Sequence, residues 1–406
     1  MSKLELLAPA GDMEKLETAF YFGADACYFA GKKWGLRAFS ENFDNDSLAY
    51  YIDYAHKLGK KAYITVNIQA HNSDFDGLED YIHHLAKCGA DAVIVSDAGV
   101  MSLIKTVEPK LPIHLSTQAC ASNKYAAKFW ADAGAKRIIL ARELSLDEIK
   151  EIRDFIPAEV ELEAFVHGAM CISYSGRCLL SNYLTGRDSN RGQCVQACRW
   201  EYFITEKSRV GQGEEYEIQQ DDRSTYILNS KDLCMINYLD KMAAAGVTSF
   251  KIEGRMKSAY YVANVVNAYR RALDELNLGK FKPNQDRITE LEKCSHRRFT
   301  TGFCLGENDR EFIQSSTPVS TYDFVGVVKQ IEKDCYLIEQ RNRFKVGDTL
   351  EILSPTNIHN KTFVVEEMFN KDGEKLSEAN LVQEIIKLKC PYKLNQHDIL
   401  RKAKTA

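Results

Sequence analysis

Apolar positions in the first 275 residues repeat one phrase: a strand-length run, a polar turn, then a stretch of helical period. Runs at 4–7, 26–29, 62–66, 92–95, 113–115, 137–140 and 160–165 predict strands. A run at 249–252 predicts another, the ninth if the run at 226–228 also forms a strand. Helical periods fall between them, at 13–22, 76–87, 123–133 and 146–154. Gly-Ala-Asp or Gly-Ala-Lys turns at 23–25, 89–91 and 134–136 join helix to strand, so the strands pair in parallel through crossover helices. About eight such strands favour a closed (β/α)8 TIM-barrel-like domain over an open doubly wound sheet. No strand–GxGxxG–helix unit is present, which weakens a dinucleotide-binding reading.

The phrase breaks between about 169 and 248, where a Cys- and Gly-containing loop precedes a hairpin-like pair at 201–205 and 215–219. From 276 to 317 the chain reads as a helical connector, with a helix at 284–294. After Pro318 the crossover helices vanish. Short runs at 324–328, 335–339, 349–353, 362–366 and 385–389 predict a small antiparallel β-barrel. The expected organisation is therefore a TIM-barrel-like domain at 1–275 with a Cys-rich insertion, a connector, and a β-barrel at 318–406.

Charge adds little: 53 Lys+Arg against 57 Asp+Glu leave a net −4, which excludes a polycation but not a local basic patch. No apolar run approaches the roughly 20 residues of a membrane span. Glu5 interrupts the only apolar stretch at the N-terminus, so no secretory signal is expected there and the expected compartment is the cytoplasm. In that reducing setting the twelve cysteines are expected to be buried, metal-bound or catalytic rather than disulfide-bonded.

Four cysteines, Cys171, Cys178, Cys194 and Cys198, fall within 28 residues in a C-x6-C-x15-C-x3-C array. Random placement would put about one there. Cys234 is a fifth candidate. Thiolates are soft ligands, and ligands this scattered suit an iron–sulfur cluster better than a zinc site built on two short knuckles. A set of buried small thiols, or a nucleophilic Cys171 helped by His167, are the alternatives.

In a barrel, chemistry gathers where strands end. That rule selects Asn67, Gln69, Ser116, Thr117, Gln118, Arg142, Glu143, Glu163, His167, Glu253 and Arg255. Glu163 and Glu253 are candidate general acids or bases, or holders of arginines, and His167 a candidate proton carrier. Arg187, Arg191 and Arg199 are candidate contacts to RNA phosphates, with Lys257, Arg297 and Arg298 extending the surface. Tyr174, Tyr183 and Trp200 interleave with these charges and suit either base stacking or burial.

The segment 163–181, EAFVHGAMCISYSGRCLLS, resembles the signature of the collagenase-like peptidases, the thirty-second peptidase family of unknown catalytic type. LLAPAGDMEKLETAFYFGADACYF near the start, LSTQ at 115–118, ARELS at 141–145 and KIEGRMKS at 251–258 are similar to the same family. Within it the chain most resembles members that hydroxylate tRNA. The resemblance implies formation of 5-hydroxyuridine at the wobble position in an anticodon loop, with prephenate supporting the reaction in place of molecular oxygen. It implies a 4Fe–4S cluster on Cys171, Cys178, Cys194 and Cys234, with Cys198 as the alternate fourth ligand. A dicarboxylate such as prephenate calls for guanidinium groups, and Arg142, Arg177 and Arg255, with Gln118, are the candidates. The family also implies two rivals: a peptidase, although HExxH and GxSxG are both absent, and a non-catalytic subunit working with a paralogous partner. The segment 344–353, FKVGDTLEIL, resembles the second-domain barrel of translation elongation factors, a further hint of RNA.

Overall fold

The computed structural model describes residues 4–36, 42–200, 230–306, 318–333 and 335–404. Strands β1 (Glu5–Pro9), β2 (Ala26–Ala30), β3 (Lys61–Val66), β4 (Ala92–Val95), β5 (Ile113–Leu115), β6 (Arg137–Ile139) and β7 (Glu161–Ala169) lie side by side in chain order. Next come β8 (Asp232–Cys234) and β9 (Ser249–Ile252). β9 pairs in parallel with both β1 and β7, so eight parallel strands close a ring. β8 stays outside the ring, antiparallel to the end of β7 with Cys234 opposite His167, and carries β10 (Phe299–Thr300). The (β/α)8 architecture is as expected, with one adjustment. The run at 249–252 is the eighth ring strand, not a ninth. The expected strand at 226–228 and the hairpin at 201–205 and 215–219 lie outside the described residues.

Local chemistry sets these elements. Asp12, Asp97, Asn123, Ser145 and Ser258 each cap a crossover helix by accepting a backbone N–H of its first turn. Gly134 ends one helix with φ +112°, a conformation that a β-carbon disfavours. The aspartates of the Gly-Ala-Asp turns reach back to the preceding strand: Asp25 accepts from Leu6 N at 3.0 Å and Asp91 from Ala62 N at 2.8 Å. Each turn therefore stitches two ring strands as well as reversing the chain.

β7 runs on to Ala169, beyond the predicted end at 165, because its last residues pair with β8. That extension lifts the following cysteine loop over the C-terminal end of the ring.

Among the described residues the last domain is an antiparallel half-barrel with a main sheet of eight strands, including Tyr322–Ile331, Tyr336–Gln340, Thr349–Leu353 and Ile399–Ala403, and a separate pair, Phe344–Lys345 with Glu378–Ala379. It wraps its own core, which includes Val325, Ile338, Phe344, Leu350 and Ile386. Buried charge joins it to the barrel. Arg401, fully buried, donates to Asn264 at 2.7 Å, Glu290 at 2.7 Å and Glu351 at 2.8 Å. Tyr21 donates to Asp398 at 2.8 Å. Burial opposes the charge of Glu290, but Arg401, His359 and Lys293 outweigh it and hold its pKa at about 2. Among the described residues no helix is long and apolar enough to cross a membrane.

Candidate active site at the barrel mouth

Polar residues on barrel strands point inward at every second position. Ser249 and Lys251 of β9, Glu163 of β7, Glu5 of β1 and Arg137 of β6 meet inside the ring. Arg137 donates to Glu5 at 2.5 Å, to Glu163 at 3.0 Å and to Ser249 at 3.2 Å. Tyr63 donates to the other oxygen of Glu5 at 2.7 Å, and Lys251 Nζ to the other oxygen of Glu163 at 2.8 Å. Burial works against the Glu5 carboxylate, and Arg137 and Tyr63 overcome it to keep its pKa low.

This arrangement corrects the expectation for Glu163 as an acid or base open to substrate. It is fully buried, and both its oxygens are committed to Arg137, Ser249 and Lys251. His167 is corrected as well. Its ring is enclosed by Tyr261, Tyr269 and Phe299, across from Cys234 but not in the lining of the loop-cysteine cavity, and burial pushes its pKa down to about 3. A neutral imidazole shut in this way neither activates Cys171 nor delivers protons to the mouth.

Above this layer three cavities adjoin. The first, of about 70 Å³, sits in the mouth itself, bordered by Asn67, Ser116, Gln118, Arg142, Glu253 and Arg255, with Lys251 among its lining. The second, of about 170 Å³, is lined by Cys171, Cys178, Cys194 and Cys198 and shares Gln118 and Arg142 with the first. The third, of about 380 Å³, holds Arg177, Gln69 and Asp97 and again Gln118. Gln118 is thus common to all three. It stands on the short turn Thr117–Ala119 that follows β5.

The loop is pinned over the mouth at several points. Arg191 grips Asp74 with two hydrogen bonds, at 2.6 and 2.8 Å, and donates to Gln69 O at 3.1 Å. Those hydrogen bonds hold the Asp74 carboxyl at about 2. Glu143 accepts from Ser175 N at 3.0 Å, and Arg142 donates to Ala169 O at 2.7 Å. At Gly176, φ +73°, a β-carbon would lie 2.1 Å from the Gln118 carbonyl, so only glycine lets the loop approach this closely.

Of the arginines expected at the substrate, Arg142 is the best placed. Its guanidinium lies 3.8 Å above the Phe165 ring and 3.5 Å from Glu253, and its buried Nε has no hydrogen-bond partner among the described residues. Arg255 donates to Leu36 O at 2.9 Å and to Asn42, and still borders the mouth. Arg177 borders the third cavity instead. Of the expected phosphate contacts, Arg187 is exposed. Arg199 is half-buried and donates to Met170 O at 2.9 Å. Arg191 is paired with Asp74, which leaves it less available to a phosphate than Arg187. Lys257 and Arg297 are half-buried, Lys257 donating to Ser295 O and Arg297 lying 3.8 Å from Asp232. Tyr174, Tyr183 and Trp200 are 60, 86 and 40% exposed, so burial is not their fate in the described part of the chain.

The four loop cysteines share one cavity, whereas Cys234 does not line it. Cys234 is buried in β8, with the Tyr269 hydroxyl 3.9 Å from its sulfur. Burial raises the thiols of Cys171 and Cys198, the latter to about 11. The Cys194 sulfur accepts a hydrogen bond from Gln196 N at 3.4 Å. Four soft donors round one space fit an iron–sulfur cluster in chemical kind. Among the described residues, no three His, Cys, Asp or Glu side chains converge on a single-ion site. Lys251 and Asp74 were missed in the sequence. A lysine two positions before Glu253 and two after Ser249 was the available signal for an inward-facing polar row.

Comparison with known proteins comes out in one direction. Residues 11–314 match the family model for peptidase family U32, and residues 320–401 match that for the U32 C-terminal domain. The tRNA hydroxylation protein P1 of Bacillus subtilis is 40% identical over 408 residues, covering 99% of this chain and 95% of that protein. The tRNA hydroxylation protein P of Escherichia coli is 38% identical, covering 93% of this chain and 91% of that protein. A 23S rRNA 5-hydroxycytidine synthase of Escherichia coli is 34% identical, covering 86% of this chain and 52% of that protein.

Proposed function

The chain belongs to peptidase family U32, and from that membership we propose that it is an RNA hydroxylase that converts the wobble uridine of tRNA to 5-hydroxyuridine. The reading is carried by the end-to-end match to two proteins named for tRNA hydroxylation. We propose prephenate as co-substrate, a 4Fe–4S cluster as cofactor, and a paralogous protein as a candidate partner.

Supporting the cofactor, Cys171, Cys178, Cys194 and Cys198 line one cavity that opens on the mouth. The family resemblance implies Cys234 as the fourth ligand; that Cys198 lines the cavity and Cys234 does not supports Cys198 instead. When bound, the cluster would supply electron transfer or an acceptor for oxygen ligands beside the mouth.

The chain's own groups have separable tasks. Arg142, with its spare buried N–H, would hold one carboxylate of the co-substrate, and Arg255 borders the same space for the other. Glu253 lies against Arg142 and would orient it. Gln118, touching all three cavities, is placed to hydrogen-bond a base edge or the co-substrate. A uridine in an unpaired loop leaves its stack at a cost of a few kcal/mol, which the exposed Tyr174 at the cysteine cavity would offset by stacking. Arg187 and Arg199 on the loop would hold neighbouring phosphates.

Mass spectrometry of tRNA nucleosides from a deletion strain tests substrate and reaction together. Loss of 5-hydroxyuridine and its derivatives, restored by the intact gene but not by a Cys171→Ala copy, is expected. An unchanged nucleoside profile would overturn the reading.

A further inference from the structure

We propose that Lys251 is a carbonyl-trapping amine: its Nζ forms an imine with the keto group of a 2-oxo acid held in the barrel mouth. Prephenate carries such a group, so the inference rests on the co-substrate reading above.

The geometry is that of an amine beneath a mouth bordered by two guanidiniums. Lys251 projects inward from β9, is 3% exposed, and lines the mouth cavity together with Arg142 and Arg255. A carboxylate held by those guanidiniums would leave its adjoining keto carbon in the cavity that Lys251 lines. The rings of Tyr28, at 4.4 Å, and Phe165, at 5.4 Å, flank the ammonium and exclude water from it. It donates to the carboxylate of Glu163 at Oε1, 2.8 Å away. Arg137 and Ser249 hold the other oxygen of that carboxylate, so Glu163 stays fixed while a proton moves. Burial lowers the Lys251 pKa, against the pull of Glu163, which favours the free amine a nucleophile needs.

The step balances without an oxidant. The ammonium passes one proton to Glu163, and the amine adds to the keto carbon, forming a C–N bond. Glu163 returns that proton to the nitrogen, which passes two protons in all to the former carbonyl oxygen, and that oxygen leaves as water. The net change is ammonium plus ketone to iminium plus water. An iminium draws electrons from the bonds of the adjoining carbon more strongly than the ketone does. Lys251 is thereby a catalytic residue, with Glu163 as its proton partner behind the mouth.

The test uses the full chain, incubated with prephenate or with pyruvate and sodium cyanoborohydride, then digested and mapped by mass spectrometry. A near-stoichiometric adduct is expected on the Lys251 peptide, with the mass of the ligand less one oxygen atom. Lys251→Arg and Lys251→Met should lack it, and circular dichroism checks that they fold. The wild-type result stands without them. Prephenate binding followed by calorimetry separates the two readings. Binding with no Lys251 adduct, or adducts scattered over exposed lysines, overturns the imine and spares the co-substrate. Neither binding nor adduct overturns both.

Discussion

The lower interior of the barrel and the mouth above it are both polar, yet they treat their charges in opposite ways. Below, Arg137, Glu5, Glu163, Ser249 and Tyr63 bond one another into a closed set. Above, Arg142 keeps a buried donor with no partner among the described residues, and four thiols face a common space. A satisfied network specifies how strands meet, whereas an unsatisfied one invites a ligand. Lys251 stands at the seam, bonded to the lower layer and lining the upper.

Breaking the closed set should have the largest effect on stability. Arg137→Met strands two buried carboxylates and should cost about 3–5 kcal/mol in urea denaturation. A loss under about 1 kcal/mol would mean that the lower layer is not closed.

The upper layer should respond in its chemistry instead. Cys171→Ala, Cys178→Ala and Cys194→Ala should each abolish the iron and sulfide of anaerobically purified protein. Comparing Cys198→Ala with Cys234→Ala assigns the fourth ligand. The cavity predicts loss in the former, and full iron retention there with loss in Cys234→Ala would move the ligand to β8. Arg142→Ala should weaken prephenate binding by about 2–5 kcal/mol, read by calorimetry.

The clamp between loop and barrel gives a smaller, pH-dependent effect. Asp74 is held at about 2, below its usual 3.8, so its contribution is present above pH 3.8 and fades as pH falls through 2. Pepsin should cut the cysteine loop increasingly across that window. Asp74→Asn should speed trypsin cleavage at the already exposed Arg177 and Arg187 at neutral pH, for about 1 kcal/mol or less of stability. Unchanged cleavage in both would mean that the clamp does not hold the loop.

The smallest effect separates the loop arginines. Arg187→Ala should make the log–log salt dependence of tRNA affinity shallower by roughly 0.7–0.9, and Arg191→Ala should leave the slope alone. Equal changes in slope would return Arg191 to the RNA surface.

The alternation of runs and the Gly-Ala-Asp turns made the ring legible, since each turn both reverses the chain and bonds the preceding strand. The density of cysteines likewise pointed to one loop, and the structure gathers four of them. Depth along a strand was not legible. Glu163 and Glu253 read alike in sequence, but the register puts one opposite Ser249 inside the ring and leaves the other beyond its strand at the mouth. Nor was pairing across long separations: nothing near Arg191 announces Asp74, 117 residues away.

Arg401 has a consequence for how a large substrate must behave. With its guanidinium sealed between Asn264, Glu290 and Glu351, the half-barrel is riveted to a helix of the barrel rather than strung from it. So mounted, it would act on a bound substrate as a ruler and not as a gripping arm. Whatever it touches is held at a constant offset from the mouth, so when a long polymer bridges the two, the polymer must do the bending.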